Sequence, residues 1–304
     1  MFRVVLFLLG FAALSQGAEA QRAGVGAWEN PNFTTLKWIE QQPGLSWYYN
    51  WRSDQMATRR PQRRVTEFVP MIHSARNVND RIQSNQQINT LLGFNEPDGN
   101  SGSHQAGMSV ERAIALWPRL EARGLRLGSP ATTQGGTLGR NSWQRRFMTQ
   151  AERRGLRVDF MAVHFYSETG NIAEFRDWLR AVYREYKRPI WVTEFAFIDW
   201  DRPGQASYKA NAEFAKGAIK MMQGLPFVER HAWFAANPYP WPGGAPAINL
   251  IDNRLRETPL GQAFRQALAE TAPRRLAMLQ NENPTAARPP EPGPTMTGLR
   301  LAER

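Results

Sequence analysis

The sequence contains no cysteine, so no disulfide can staple the fold and the chain must hold by its hydrophobic core alone. Lysine is scarce too, at five of the 38 basic residues, which leaves an arginine-dominated positive charge. There are four histidines, and no second histidine or clustered carboxylate stands at ligand spacing, which argues against a metal centre. Long apolar runs are missing apart from Val4 to Leu14. About eleven residues is too few to span a bilayer, which takes roughly 20. No G-x-G-x-x-G follows the first strand-like segment, so the main sign of a dinucleotide-binding open sheet is absent.

Met1-Phe2-Arg3, the apolar run and Ala18-Glu19-Ala20 follow the layout of a signal peptide with a small-x-small cleavage site. Residues 1–20 are therefore expected to be a leader, the mature chain to begin near Gln21, and the protein to be secreted or periplasmic. Losing the leader removes one Arg and one Glu and leaves the net charge at +11. Such charge suits nucleic acid or an anionic surface. It is scattered, however, as Arg59-Arg60, Arg63-Arg64, Arg145-Arg146 and Arg153-Arg154, the pattern of solvated helix faces. The expectation is a monomer with no nucleic-acid partner and no membrane contact after leader removal. Pro273, Pro284, Pro289, Pro290, Pro292 and Pro294 break any periodicity near the end, so residues 271–304 read as a Pro-rich, disordered basic tail.

What remains, residues 21–270, suits one large domain. Short apolar runs alternate with amphipathic ones. Candidate strands are Val25 to Trp28, Leu45 to Tyr49, Thr66 to Met71, Thr90 to Asn95, Leu125 to Ser129, Phe160 to Phe165, Ile190 to Glu194 and Val228 to Phe234. Between them, Val110-Ile114-Trp117 (with Pro118 a kink), Ile172-Phe175-Leu179-Val182-Tyr186 and Phe214-Ala218-Met221-Leu225 keep the 3.6-residue period of helices packed on one side. Asn171 with Glu174 has the form of a capping pair. Alternation implies a parallel sheet, and eight units imply closure into a ring. The expected fold is α/β, a single-domain (β/α)₈ TIM barrel.

In that fold the active site lies at the carboxyl ends of the strands, so polar residues that close apolar runs are the candidates. Leu91-Leu92-Gly93-Phe94 leads into Asn95-Glu96-Pro97-Asp98, and Ile190-Trp191-Val192-Thr193 leads into Glu194. The fourth and seventh strands face each other across the mouth. Glycosidic cleavage needs one group to protonate the leaving oxygen and another to stabilise the anomeric carbon, and two opposed glutamates meet that need. The gap between them decides between retention and inversion, and spacing in the chain does not measure it.

Asn95-Glu96 and the lone Glu194 resemble the pattern of the large clan of retaining barrel glycosidases. Gly93-Phe94-Asn95-Glu96-Pro97-Asp98, Ser129-Pro130-Ala131, Asp159-Phe160-Met161-Ala162-Val163-His164-Phe165-Tyr166, Trp191-Val192-Thr193-Glu194-Phe195 and Thr258-Pro259-Leu260-Gly261 together resemble glycoside hydrolase family 128. That family comprises β-1,3-glucanases, and the likeness runs from about Val25 to Phe264. It implies a retaining endo-β-1,3-glucanase with Glu96 as acid/base and Glu194 as nucleophile, acting on β-glucan polysaccharide or oligosaccharide with no cofactor and no metal. It also implies that Asn95 binds the sugar 2-hydroxyl. His164 and Tyr166, two apart on one strand, point the same way and are expected with Asn95 among the substrate-binding residues. Tyr166 is expected to donate to Glu194 and lower its pKa, while Glu96 is held protonated.

Eleven tryptophans are a heavy load, and their positions suggest a sugar cleft. Trp28 closes the first strand, Trp51 follows the second, Trp233 lies in the eighth, and Tyr239 and Trp241 sit in the loop beyond it. Trp117, Trp143, Trp178 and Trp191 are assigned to helices or core. The alternatives are a retaining hydrolase or transglycosylase acting on another β-glycan, a non-catalytic carbohydrate-binding protein on the same scaffold, and a polyanion binder.

Overall fold

The computed structural model describes residues 22–30, 34–57, 64–100, 102, 104–242 and 245–271. The leader and the tail beyond Thr271 lie outside the described residues. Eight strands alternate with helices: β1 Ala23–Gly26, α1 Thr35–Ile39, β2 Trp47–Tyr49, β3 Glu67–Phe68, β4 Thr90–Leu91, α2 Val110–Glu121, β5 Arg126–Leu127, α3 Gln134–Thr137, α4 Trp143–Arg153, β6 Met161–Ser167, α5 Ile172–Tyr186, β7 Ile190–Phe197, α6 Tyr208–Gln223, β8 Val228–Phe234 and α7 Pro259–Thr271. Six strands run parallel in the order β3-β2-β1-β8-β7-β6, and β4-β5 form a second parallel pair. Parallel bridges Met71–Leu92 and Gly128–Phe160 join the two sets, so the ring closes as a (β/α)₈ barrel. The alternation is incomplete. Among the described residues between β2 and β4, the only helical element is a 3₁₀ turn at Ala75–Asn77, consistent with a stretch that has no apolar period.

The strands sort their side chains by parity. On β6, Met161, Val163 and Phe165 face the helices, while Phe160 and Ala162 point inward with Trp47, Tyr49 and Trp191. Trp47 and Trp51 fit inside because β1 offers glycine there. A Cβ on Gly24 would sit 2.3 Å from the Trp47 ring, and one on Gly26 would sit 2.6 Å from Trp51. At the far end of the barrel Arg230 lies over Trp191, 4.5 Å from the ring centroid, and pairs with Glu67 at 2.7 Å.

Helix boundaries follow local chemistry. The Asn171 side chain accepts from Ala173 N and donates to Glu174, the expected capping pair, and α5 buries Phe175, Leu179, Val182 and Tyr186. Helix α2 contains Pro118 within its span. Arg145, Arg146, Arg153 and Arg154 are exposed along or at the end of α4, the solvated face their pairing suggested. No helix among the described residues is long and apolar enough to cross a membrane.

His231, on the helix-facing side of β8 with Trp233, is wholly buried, and desolvation, with Arg22 adding to it, pushes its pKa from 6.5 down to about 3. The folded imidazole resists a proton that the unfolded one accepts. This contribution is therefore complete above pH 6.5 and declines by about 1.4 kcal/mol per pH unit as the pH falls towards 3. Urea melts from pH 7 to pH 4 are expected to show a steeper acid loss in the native protein than in His231→Leu. Parallel slopes would contradict this.

Candidate active site

The site begins with two departures from regular strand geometry. After β4, Asn95 pairs in parallel with Ala131, and Glu96 takes φ 43°, a left-handed conformation that costs a residue with a Cβ of order 1–3 kcal/mol. That turn swings the carboxylate out of the strand line, and Glu96 N–H is fixed on the Ala131 carbonyl at 2.6 Å. On β7, Trp191 points inward and Val192 outward, so strict alternation would send Glu194 to the helices. A bulge prevents it: Val163 pairs with Val192, but His164 pairs with Glu194. Thr193 is the extra residue, and the shift re-aims Glu194 into the barrel.

An oxygen of Glu96 and an oxygen of Glu194 lie within 4.8 Å of each other, and a ring nitrogen of His164 is within the same distance of both. The imidazole is fully buried between them. Its Nδ1 is 2.8 Å from Glu96 Oε1 and its Nε2 is 3.4 Å from Glu194 Oε1. The shorter contact is a hydrogen bond, and the two ring nitrogens turn to different carboxylates. Glu96 Oε2 accepts from Gln105 Nε2 at 2.7 Å. Glu194 Oε1 accepts from the Trp51 indole at 2.8 Å and from Tyr49 OH at 3.2 Å, and its Oε2 accepts from Tyr166 OH. The expected donation by Tyr166 is therefore present. Gln105 and Tyr49 were not foreseen. Tyr49 closes β2 and was open to the strand-end rule, whereas Gln105 sits nine residues beyond Glu96 in a loop with no period to place it.

The charges differ from the sequence expectation. Burial lifts Glu194 above 4.5, and Glu96 adds to it, against the His164 charge and the Tyr166 and Trp51 hydrogen bonds. Burial pulls Glu96 up as well, but the His164 hydrogen bond and charge, with the Gln105 amide, hold it below 4.5. Burial pulls His164 down, yet the charge of Glu194 and the bond and charge of Glu96 keep it above 6.5. Both shifts favour the charged forms of His164 and Glu96, which share a hydrogen bond. His164, expected among the sugar-binding residues, is instead fully buried off the cleft wall and wedged between the two carboxylates.

Both carboxylates line a cleft of about 1200 Å³, beyond the roughly 300–1,000 Å³ of a drug-sized pocket. Trp28, Trp51, Asn95, Tyr166, Tyr239 and Trp241 line it as expected. Asn95 is buried, with its Nδ2 on the His104 carbonyl at 3.0 Å and its Oδ1 unpartnered. Trp233 does not line it. Its ring lies outside the strands against Phe195, Phe214 and Phe264, with the indole N–H on Ile248 O at 2.7 Å. Successive strand residues point to opposite faces, so the cleft position on β8 falls to Phe234. Trp178, assigned to helix or core, packs on Phe165 and also reaches the cleft, and Trp200 joins the wall 5.0 Å from Trp241.

The other sequence motifs are structural. Asp98 accepts from Thr133 N at 2.9 Å and Thr133 Oγ1 at 2.5 Å, tying the loop after β4 to the loop after β5. Ser129 Oγ accepts from Ala162 N at 3.0 Å, locking β5 to β6. Thr258 Oγ1 accepts from Gly261 N at 3.1 Å at the start of α7, where a Cβ on Gly261 would strike Leu250 O at 2.1 Å.

A family model described as glycosyl hydrolase catalytic core matches residues 26–264. Among solved structures, a variant of a family 128 subgroup I endo-β-1,3-glucanase from Amycolatopsis mediterranei in complex with laminarihexaose is 34% identical. The match covers 81% of this chain and 99% of that one, with a TM-score of 0.68. A subgroup II endo-β-1,3-glucanase from Sorangium cellulosum is 27% identical over 81% of this chain and 98% of its own, with a TM-score of 0.63. Alkali-sensitive linkage protein 1 of Schizosaccharomyces pombe is 30% identical over 200 residues, which are 63% of this chain but 34% of that protein, so the chain spans about a third of that relative. The matched span runs from the end of β1 into α7 and takes in both glutamates, and the chain belongs to the glycosyl hydrolase catalytic-core family, within glycoside hydrolase family 128.

Proposed function

We propose that this protein is an endo-acting β-1,3-glucan hydrolase that works with retention of anomeric configuration, Glu96 serving as acid/base and Glu194 as nucleophile. One observation carries the reading: the two carboxylates approach within 4.8 Å in a shared cleft. Retaining pairs stand roughly 5–5.5 Å apart, whereas inverting pairs need roughly 6.5–9.5 Å to admit a water. The similar glucanases described above support the substrate class, and a cleft larger than a monosaccharide needs supports binding within a chain.

The steps follow from the contacts. Trp51, Tyr49 and Tyr166 hold Glu194 with its oxygens aimed into the mouth, ready to attack the anomeric carbon. As the bond to the leaving sugar breaks, the proton held by His164, 2.8 Å away, passes to the Glu96 carboxyl and from it to the leaving oxygen, so that Glu96 ends ionised and His164 neutral until the attacking water gives the proton back. Water activated by Glu96 then releases the sugar from Glu194. Asn95 meets the 2-hydroxyl of the sugar under attack, and Trp28, Trp241 and Tyr239 stack on pyranose faces. The leader-like first twenty residues support a secreted or periplasmic enzyme, and the reading is of a monomer.

Activity is expected to rise with pH through the ionisation of Glu194, with an apparent pKa above 4.5. It should fall as the Glu96–His164 pair loses its shared proton, with an apparent pKa above 6.5. A kcat/KM profile against pH measures both limbs. The function itself is tested by product masses after incubation with linear β-1,3-glucan, mixed-linkage glucan and cellulose. A ladder of oligosaccharides from the first is expected. Glucose alone would replace endo with exo action, and binding without turnover would make the protein a lectin-like member.

A further inference from the structure

Both oxygens of Glu96 are engaged in the open site: Oε1 faces His164 Nδ1 at 2.8 Å and Oε2 accepts from Gln105 Nε2 at 2.7 Å. Each oxygen can take a second partner, yet a leaving oxygen must come in beside one of these two contacts. His164 is fully buried on β6, whereas Gln105 belongs to the loop after β4 and is half-buried on the cleft wall. Resting on the reading of Glu96 as acid/base, we propose that Gln105 is a positioning residue: its amide pins the second carboxyl oxygen of Glu96 in the open enzyme, yields that oxygen to the glucan, and takes it back when the product leaves.

The loop is built to deliver this amide. It folds back on the strand end, with Ala106 N donating to Asn95 O at 2.7 Å, Met108 N to Pro97 O at 2.8 Å, and Asn95 Nδ2 to His104 O at 3.0 Å. These bonds set Gln105 beside Glu96. Gly99 makes room, since a Cβ there would lie 2.2 Å from the Gln105 amide. The residue type fits the task. An ionised carboxylate only accepts hydrogen bonds, whereas the protonated acid also donates one, and a carboxamide serves either form by presenting its NH₂ or its oxygen. Lysine would favour the ionised form alone. The other groups that bear on Glu96 are His164, His73, Glu194, Tyr49, Tyr166 and Tyr239, and none of these is altered by a change at 105.

The test compares the full-length protein with Gln105→Met, which keeps the bulk and loses the amide, and Gln105→Glu, which brings a like charge. In a ¹³C-NMR titration of the carboxyl groups without substrate, Glu96, assigned through Glu96→Gln, is expected to titrate at higher pH in Gln105→Met and higher still in Gln105→Glu. On β-1,3-glucan, kcat for Gln105→Met should fall roughly tenfold, because a carboxyl no longer held in place meets the leaving oxygen out of line. Glycosylation by an aryl β-glucoside with a leaving group that needs no proton should be unaffected. An unmoved Glu96 titration, or equal losses on both substrates, would overturn the proposal. A shifted titration in a protein that turns over no glucan would uphold the positioning of Glu96 and remove only the hydrolase reading.

Discussion

Replacing Glu194 by Ala is expected to abolish release of reducing sugar from β-1,3-glucan, a fall of roughly five to six orders of magnitude in kcat, because the covalent route loses its nucleophile. The stability readout should go the other way for the better-matched variant. Glu194 is buried, and burial already raises its pKa, so the fold pays to hold a carboxylate there. Glu194→Gln keeps an acceptor oxygen for the Trp51 N–H, turns its NH₂ towards the Tyr166 hydroxyl, which can accept, and drops the charge. It is therefore expected to melt at or above the native temperature while remaining inactive. Glu194→Ala strands the Trp51 N–H and the Tyr166 hydroxyl, at about 1–3 kcal/mol for each group left dry, and should melt lower, although Tyr49 OH keeps its 2.9 Å bond to the Thr193 carbonyl. Calorimetry beside a reducing-sugar assay separates lost chemistry from lost structure. Substantial activity in a folded Glu194→Gln would refute the assignment.

Glu96→Ala should divide the two half-reactions. With a glucan, the leaving sugar needs a proton, and losing general acid catalysis costs roughly 10²–10⁴-fold. With an activated aryl glycoside the first step proceeds, but water lacks its base, so the glycosyl enzyme accumulates after a burst. Added azide needs no base and should restore turnover by attacking the intermediate. Intact-mass measurement would show the protein carrying one glycosyl unit at Glu194. A variant that shows neither burst nor azide rescue would place the acid/base elsewhere, with His164 the first residue to examine.

Most of the architecture was legible because strands in a closed barrel are short apolar runs that end in polar residues. All eight expected segments overlap observed strands; Tyr166 stands near the end of β6 and Asn95 and Glu96 follow β4 within five residues, whereas Glu194 lies within β7, which runs on to Phe197. The failures have physical reasons. Trp233 and Phe234 are adjacent aromatics, and composition does not say which has cleft parity. The bulge at Thr193 shows how far parity can mislead, since simple alternation would have turned Glu194 outward. Trp200 follows β7 as Trp28 follows β1, so the same reasoning would have found it. Gln105 and the His164 bridge depend on how loops and opposing strands meet, and the electrostatic order of the two glutamates depends on that bridge.

The central claim is that Glu96 and Glu194 act on one anomeric carbon, with Glu194 forming a bond to it. Proton NMR of the first product, recorded within minutes of mixing enzyme with linear β-1,3-glucan and before mutarotation, tests this directly. The β-anomer should appear first and the α-anomer only later as the sugar equilibrates. First appearance of the α-anomer would mean that water attacks directly, and would contradict the account.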